Sequence, residues 1–226
     1  MLASKLLTDF TLWASWFFYL PFVFAAAWKA PWVELFSDSR RQHLLFGTVI
    51  ALCLLWLLRR DFPNGLSVHF IGMTAVTLLL GWPLAIITGL FAQLTLIVLG
   101  KPDIAALAVN GFILVALPVV VAETAARLIE RLQPENLFVY IFGSCFFPAA
   151  LTAVLCVSLA FAILMLNQLF VFPYWIDEYY GLALMVAFPE AFINGTLITA
   201  LVVYKPEWLE TFNHTRYLQA PWKDRS

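Results

Sequence analysis

The chain has 226 residues, 63% hydrophobic and only 12% charged, with a mean hydropathy of +0.89 and a formal net charge of −1. A soluble domain carries roughly 25% charged residues, so this composition cannot cover a water-exposed surface of such size and excludes a soluble enzyme. The near-neutral balance gives no basic field for nucleic acid.

Lys5 and Ala25-Ala26-Ala27 resemble the basic start and small-residue site of a signal peptide, but Trp13, Trp16 and Pro21 interrupt the run, so a retained first helix is expected. The first apolar run covers about 10–28 and the second about 44–58, closed by Arg59-Arg60-Asp61. Phe62-Pro63-Asn64-Gly65-Leu66 reads as a turn. The third run, about 66–81, is separated from the fourth, about 84–99, by Gly81-Trp82-Pro83, because proline lacks a donor and clashes with the preceding turn. After the turn Gly100-Lys101-Pro102-Asp103 comes a fifth run, about 104–132, ending with Glu123, Arg127, Glu130 and Arg131. The sixth, about 137–171, exceeds one perpendicular span and is expected to tilt or kink near Pro148. A loop over 172–180 precedes the seventh, about 181–204.

No strand-like alternation runs through these segments, so helices are the way to satisfy the backbone in lipid. The expected architecture is all-α: one domain over 1–226, a polytopic integral membrane bundle of about seven transmembrane helices. Eight basic residues (Arg40, Arg41, Arg127, Arg131, Lys205, Arg216, Lys223, Arg225) fall on one side and four (Lys5, Arg59, Arg60, Lys101) on the other. The positive-inside rule puts the first side in the cytoplasm, with the N-terminus outside and the C-terminus inside. A bacterial cytoplasmic membrane is the expected location, with lipid as the surrounding partner.

Polar residues inside the spans carry the candidate function, since they cost most to bury. They are His69, Gln93, Asn110, Glu190 and Asn194. Glu190 follows Pro189, and Asn194 shares its helix face one turn on. An ionised carboxylate at mid-depth must be protonated, paired or wet, which leaves a ligand or proton-handling role against a packing bond to a neighbour such as Asn110. His69 is a possible metal ligand through its imidazole, or simply a hydrogen-bonded residue. Cys53, Cys145 and Cys156 sit in apolar runs and read as small buried hydrophobes. No Walker lysine loop, HExxH, GxSxG or dinucleotide fingerprint occurs, so uphill transport would need an ATPase on another subunit.

Asn64-Gly65-Leu66-Ser67-Val68-His69-Phe70-Ile71-Gly72-Met73 resembles the "GTSGHLLGA" region of the CbiM/NikM family, the membrane substrate-capture subunits of energy-coupling-factor transporters for cobalt and nickel. Gly81-Trp82-Pro83, Gln93, the segment Gly100 through Asn110, Pro189-Glu190-Ala191 through Thr199, and Tyr204-Lys205-Pro206-Glu207-Trp208-Leu209 follow that family's order and spacing. The resemblance implies a substrate site lined by His69, Asn110, Glu190, Asn194 and Gln93, with His69 as metal ligand; the expected cargo is a transition metal ion (nickel, cobalt, copper or zinc) or a small metal complex. It also implies a coupling membrane protein and cytoplasmic ATPase subunits as partners. One position departs: the family folds a free N-terminus with histidine second beside the histidine of its "SGH" motif, whereas here the second residue is Leu2. Without that histidine the site is a poor square-planar nickel site. The competing expectation is a non-transport assembly factor or scaffold whose polar residues only hold helices together.

Overall fold

A computed structural model describes residues 1–61, 66–101, 103–132, 136–167, 176–213 and 216–217, the side chains of 176–179 excepted. Most of the turn expected at 62–66, residues 172–175 of the loop expected at 172–180 and the last residues of the sixth run lie outside them, whereas 176–180, expected in that loop, already belong to the last helix, Ile176–Tyr204.

Helix α1, Asp9–Lys29, begins at Thr8, whose side chain accepts from the Thr11 N–H and fills one of the orphan donors of a helix start. At 21 residues it is about 30 Å long, the thickness of a bilayer core. Its outer face leaves Phe10, Trp13, Phe17, Phe24 and Trp28 exposed, an apolar stripe that only lipid would cover. Helix α2, Trp32–Ser37, lies in the stretch before the second run, and α3, Ser39–Leu57, starts in the polar residues there and carries the second run itself, capped by Asp38 accepting from the Arg40 N–H.

An antiparallel ribbon follows where the sequence pattern suggested the start of a helix at Leu66. Strand β1, Arg59–Asp61, pairs with β2, Ser67–His69, with Arg59 opposite His69 and Asp61 opposite Ser67. Leu2 adds a bridge to Leu66. The third apolar run therefore becomes helical only at Met73, after Gly72 turns through the left-handed region at φ 71°, a conformation that glycine adopts without a Cβ penalty.

Helix α4, Met73–Val98, reverses at Gly81 (φ 74°, ψ 159°). Its two ends lie together, since Trp56 donates to the Ile71 carbonyl at 2.9 Å and Arg59 to the Lys101 carbonyl at 3.3 Å. Its middle lies at the opposite end of the bundle, where Leu79 and Leu78 accept from the Glu210 and Thr211 N–H groups and Lys29 sits 6.0 Å from the Trp82 ring. The element is thus two antiparallel arms, and Gly81 with Pro83 is the physical reason.

Helix α5, Ile104–Leu132, and α6, Leu137–Leu166, each widen to π geometry, at Phe112–Ala116 and Ile141–Phe146. Each widening ends just before a proline, Pro118 or Pro148, that cannot donate to the preceding turn. Helix α7, Ile176–Tyr204, packs along α6. Among the described residues five helices are long and apolar enough to cross a membrane: Asp9–Lys29, Met73–Val98, Ile104–Leu132, Leu137–Leu166 and Tyr180–Tyr204. With α3 added and the two arms of α4 counted separately, the bundle makes about seven passes. The N-terminus meets the ribbon at one end, and the residues after Tyr204 meet the Gly81 reversal at the other.

Close helix approach rests on small residues. A Cβ at Gly111 would lie 2.4 Å from the Tyr19 ring, and one at Gly89 would lie 2.5 Å from Val115. One at Gly47 would meet nothing within 4 Å. Gly111→Ala should therefore lower stability by about 1–3 kcal/mol through overpacking, read as a lowered melting temperature in detergent, while Gly47→Ala leaves it within the error of the measurement.

Candidate functional site

The ribbon end of the bundle holds a small enclosed site. Met1 and Leu2 run antiparallel to the stretch around Leu66 and Ser67. The Met1 amine donates to the Ser67 carbonyl at 2.6 Å, and the Ser67 N–H donates back to the Met1 carbonyl at 2.9 Å. Asn110 of α5 then holds Leu2 from the other side: its Oδ1 accepts from the Leu2 N–H at 2.8 Å, and its Nδ2 donates to the Leu2 carbonyl at 2.9 Å. An asparagine side chain carries one donor and one acceptor in the spacing of a peptide group, so it pairs with the chain as a strand neighbour would. Leu2 is 2% exposed.

His69 is buried at the end of β2. Its Nδ1 lies 2.7 Å from the Phe70 carbonyl, which can only accept, so Nδ1 carries the proton and the lone pair stands on Nε2. Nε2 is buried and has no hydrogen-bond partner among the described residues, which is rare for a buried polar atom and asks for an explanation. Trp56 covers one face of the ring at a centroid distance of 5.5 Å.

The electrostatics keep both nitrogen groups neutral. Burial, with the Arg59 guanidinium nearby, pulls the Met1 amine down to about 5. Burial first, then the charge of the amino terminus, pulls His69 down to about 3. Met1, Leu2, Ser67, His69, Asn110 and Cys156 line a cavity of about 60 Å³ whose remaining walls are apolar side chains of α5, α6 and α7.

The other polar residues position this site without opening into the cavity. Glu190 accepts from the N–H groups of Ile71 (2.7 Å) and Gly72 (2.6 Å), just ahead of α4. Asn194 accepts from the Ala75 N–H at 2.8 Å and donates to Glu190 Oε1 at 2.8 Å. The partner of Glu190 is thus the backbone of the His69 loop and Asn194, while Asn110 is committed to Leu2. Gln93 accepts from the Tyr19 hydroxyl at 3.3 Å and donates to the Leu107 carbonyl at 3.4 Å, joining α1, α4 and α5 away from the His69 ring.

Of the five residues singled out by sequence, the structure brings His69 and Asn110 to one cavity, places Glu190 and Asn194 beneath the loop that carries His69, and puts Gln93 elsewhere. The pattern of residue types gave no sign of four further contributors. Met1 and Leu2 act through backbone groups, Arg59 is a largely buried cation beside the amino terminus, and Cys156 was indistinguishable from any small core residue.

The model of the CbiM family, described as the cobalt uptake substrate-specific transmembrane region, matches residues 2–208. The chain belongs to the CbiM family. It is an integral membrane transport protein and not an enzyme. Two crystal structures share the fold. One, of a truncated transition metal transporter, matches with a TM-score of 0.64 at 18% identity, over 89% of this chain and 98% of the other. The second, of a transition metal transporter, gives 0.65 at 18% identity, over 89% and 92%. Among curated proteins no match is found.

Two outcomes follow from the geometry of this CbiM-family site. Asn110→Ala leaves the Leu2 N–H and carbonyl buried without partners, at about 1–3 kcal/mol for each group. The Met1 amine of that variant should react with an amine-directed acylating reagent many times faster than in the parent protein. Acid should also loosen the site. A base whose folded pKa is depressed binds fewer protons folded than unfolded, so stability is greatest above pH 8 and falls as pH drops from about 8 to about 5 for the amine, and from 6.5 towards about 3 for His69. Thermal melts of chelator-treated protein across this range should show the fall, and His69→Phe should remove its part below pH 6.5.

Proposed function

We propose that this chain is the substrate-capture subunit of an energy-coupling-factor type transporter, with a transition metal ion as its cargo. The observation that carries this reading is His69 Nε2, a buried nitrogen with no hydrogen-bond partner among the described residues, on a residue that lines one cavity with Met1 and Leu2. A neutral imidazole in such a place is the commonest protein ligand for a transition metal. The family membership supports the transport role, and the absence of any nucleotide-binding motif in the sequence calls for a separate ATPase with a coupling membrane protein.

In this proposal His69 ligates the ion, Asn110 holds the N-terminal residues in place, and Glu190 with Asn194 fixes the loop that carries His69. Gln93 braces helices. The ribbon end faces outward, because Arg40, Arg41, Arg127, Arg131, Lys205 and Arg216 gather at the other end.

The full hydrogen-bonding of Glu190 and Asn194 also suits a scaffold held together by intramembrane polar contacts, and the two readings separate by mutation. Under the capture reading His69→Ala lowers metal affinity of the purified protein by about 10–100-fold or more and abolishes cellular uptake of that metal. Gln93→Ala leaves affinity within a few-fold. Unchanged calorimetric affinity and uptake in the His69 variant would overturn the assignment, and Glu190→Gln lowering only the melting temperature would then favour the scaffold.

A further inference from the structure

We infer that the cavity is built for a soft monovalent cation, copper(I), held by His69 Nε2 and the thiolate of Cys156. This inference rests on the metal-capture reading and narrows its cargo.

Cys156 lies on α6, 4% exposed, and lines the same cavity as His69, Met1 and Asn110. Its Sγ donates to the Ile113 carbonyl at 3.0 Å. That acceptor sits in the π-widened stretch of α5, Phe112–Ala116. The other two cysteines belong elsewhere: Cys53 Sγ faces the Ala92 carbonyl at 3.8 Å, and Cys145 packs in a separate cluster with Tyr140 and Ile198. The second, independent observation is His69, a residue only 7% exposed whose buried Nε2 has no hydrogen-bond partner among the described residues.

Charge decides which ion fits. Among the described residues no carboxylate lines the cavity, and apart from Ser67 and Asn110 its remaining walls are apolar. The buried Arg59 guanidinium stands close by, donating to Met1 Sδ at 3.7 Å and paired with Asp61 at 3.0 Å. A divalent ion would bring two positive charges against one ionisable ligand in a low-dielectric space, which is costly. A monovalent ion with one thiolate is neutral. The step balances: the Cys156 thiol loses its proton to solvent, a sulfur–copper bond forms, and the ion keeps its oxidation state. Thiolate and imidazole together suit copper(I), which accepts two or three soft ligands, whereas Leu2 removes the side-chain nitrogen that a square-planar divalent site would use.

The test uses full-length protein in detergent, handled anaerobically, with copper(I) in competition against a chromophoric copper(I) chelator. One copper(I) per chain should bind, more tightly than nickel(II) or cobalt(II) measured by calorimetry. Cys156→Ser should weaken copper(I) binding at least about tenfold, while Cys53→Ser and Cys145→Ser leave it unchanged. Copper-edge X-ray absorption of the unmutated protein guards against a variant that fails to fold, and should show a sulfur scatterer. A spectrum with nitrogen and oxygen neighbours only overturns the thiolate assignment, as does equal copper(I) affinity in the Cys156 variant. If copper(I) fails but nickel(II) or cobalt(II) binds through His69, the copper inference falls and the metal-capture reading stands. If no ion binds, both fall.

Discussion

Two backbone N–H groups, those of Ile71 and Gly72, lie buried in an apolar bundle, and the carboxylate of Glu190 accepts both. An unpaired backbone donor in such a place costs free energy comparable to a lost hydrogen bond, so the loop can descend into the bundle only where an acceptor waits. Asn194 extends the same support to the Ala75 N–H and braces the carboxylate. A helix start also concentrates positive partial charge, which favours an anion there. The position of α4 against α7, and with it the depth of His69, follows from this contact.

The N-terminal residues are held by the same logic applied to backbone alone. Met1 and Leu2 use main-chain groups for their contacts with Ser67 on one side and Asn110 on the other. Asn110 serves as a peptide surrogate from α5, so the pose of the terminus depends on a helix, a ribbon and a two-residue segment at once. The cavity exists because these three meet, and it carries little charge because Arg59 and burial hold both nitrogen bases neutral.

The parts of this arrangement that were legible in the sequence are those with local causes. Gly81-Trp82-Pro83 marked the reversal in α4 because glycine and proline act on their own backbone, and the apolar runs marked the spans because lipid demands them. The family motif around His69 pointed to the right loop, though a helix was expected there. The ribbon was hidden because three-residue strands have no periodicity of their own and depend on pairing. The partners of Glu190 were hidden for a deeper reason: they are backbone N–H groups, which every residue but proline possesses. A bond to Asn110 was a reasonable guess from residue types, but the asparagine was already taken by Leu2. Cys156 gave no signal, since a ligating thiol and a core thiol look alike until a neighbouring donor is known.

The way Leu2 is held bears on how a site of this kind can change its preference. Both Asn110 contacts go to the Leu2 main chain, so the pose of the terminus does not depend on the second side chain. Replacing that side chain alters what faces the interior without disturbing the path of the backbone. Its N–H is committed to Asn110 Oδ1, however, and a metal site that recruited this nitrogen would have to give up that bond. In this chain the nitrogen stays structural, Leu2 packs as core, and the donors left to line the cavity are the His69 imidazole and the Cys156 thiol. Under the metal-capture proposal, ion preference resides in a few side chains mounted on one frame, while Glu190, Asn194 and Asn110 hold that frame.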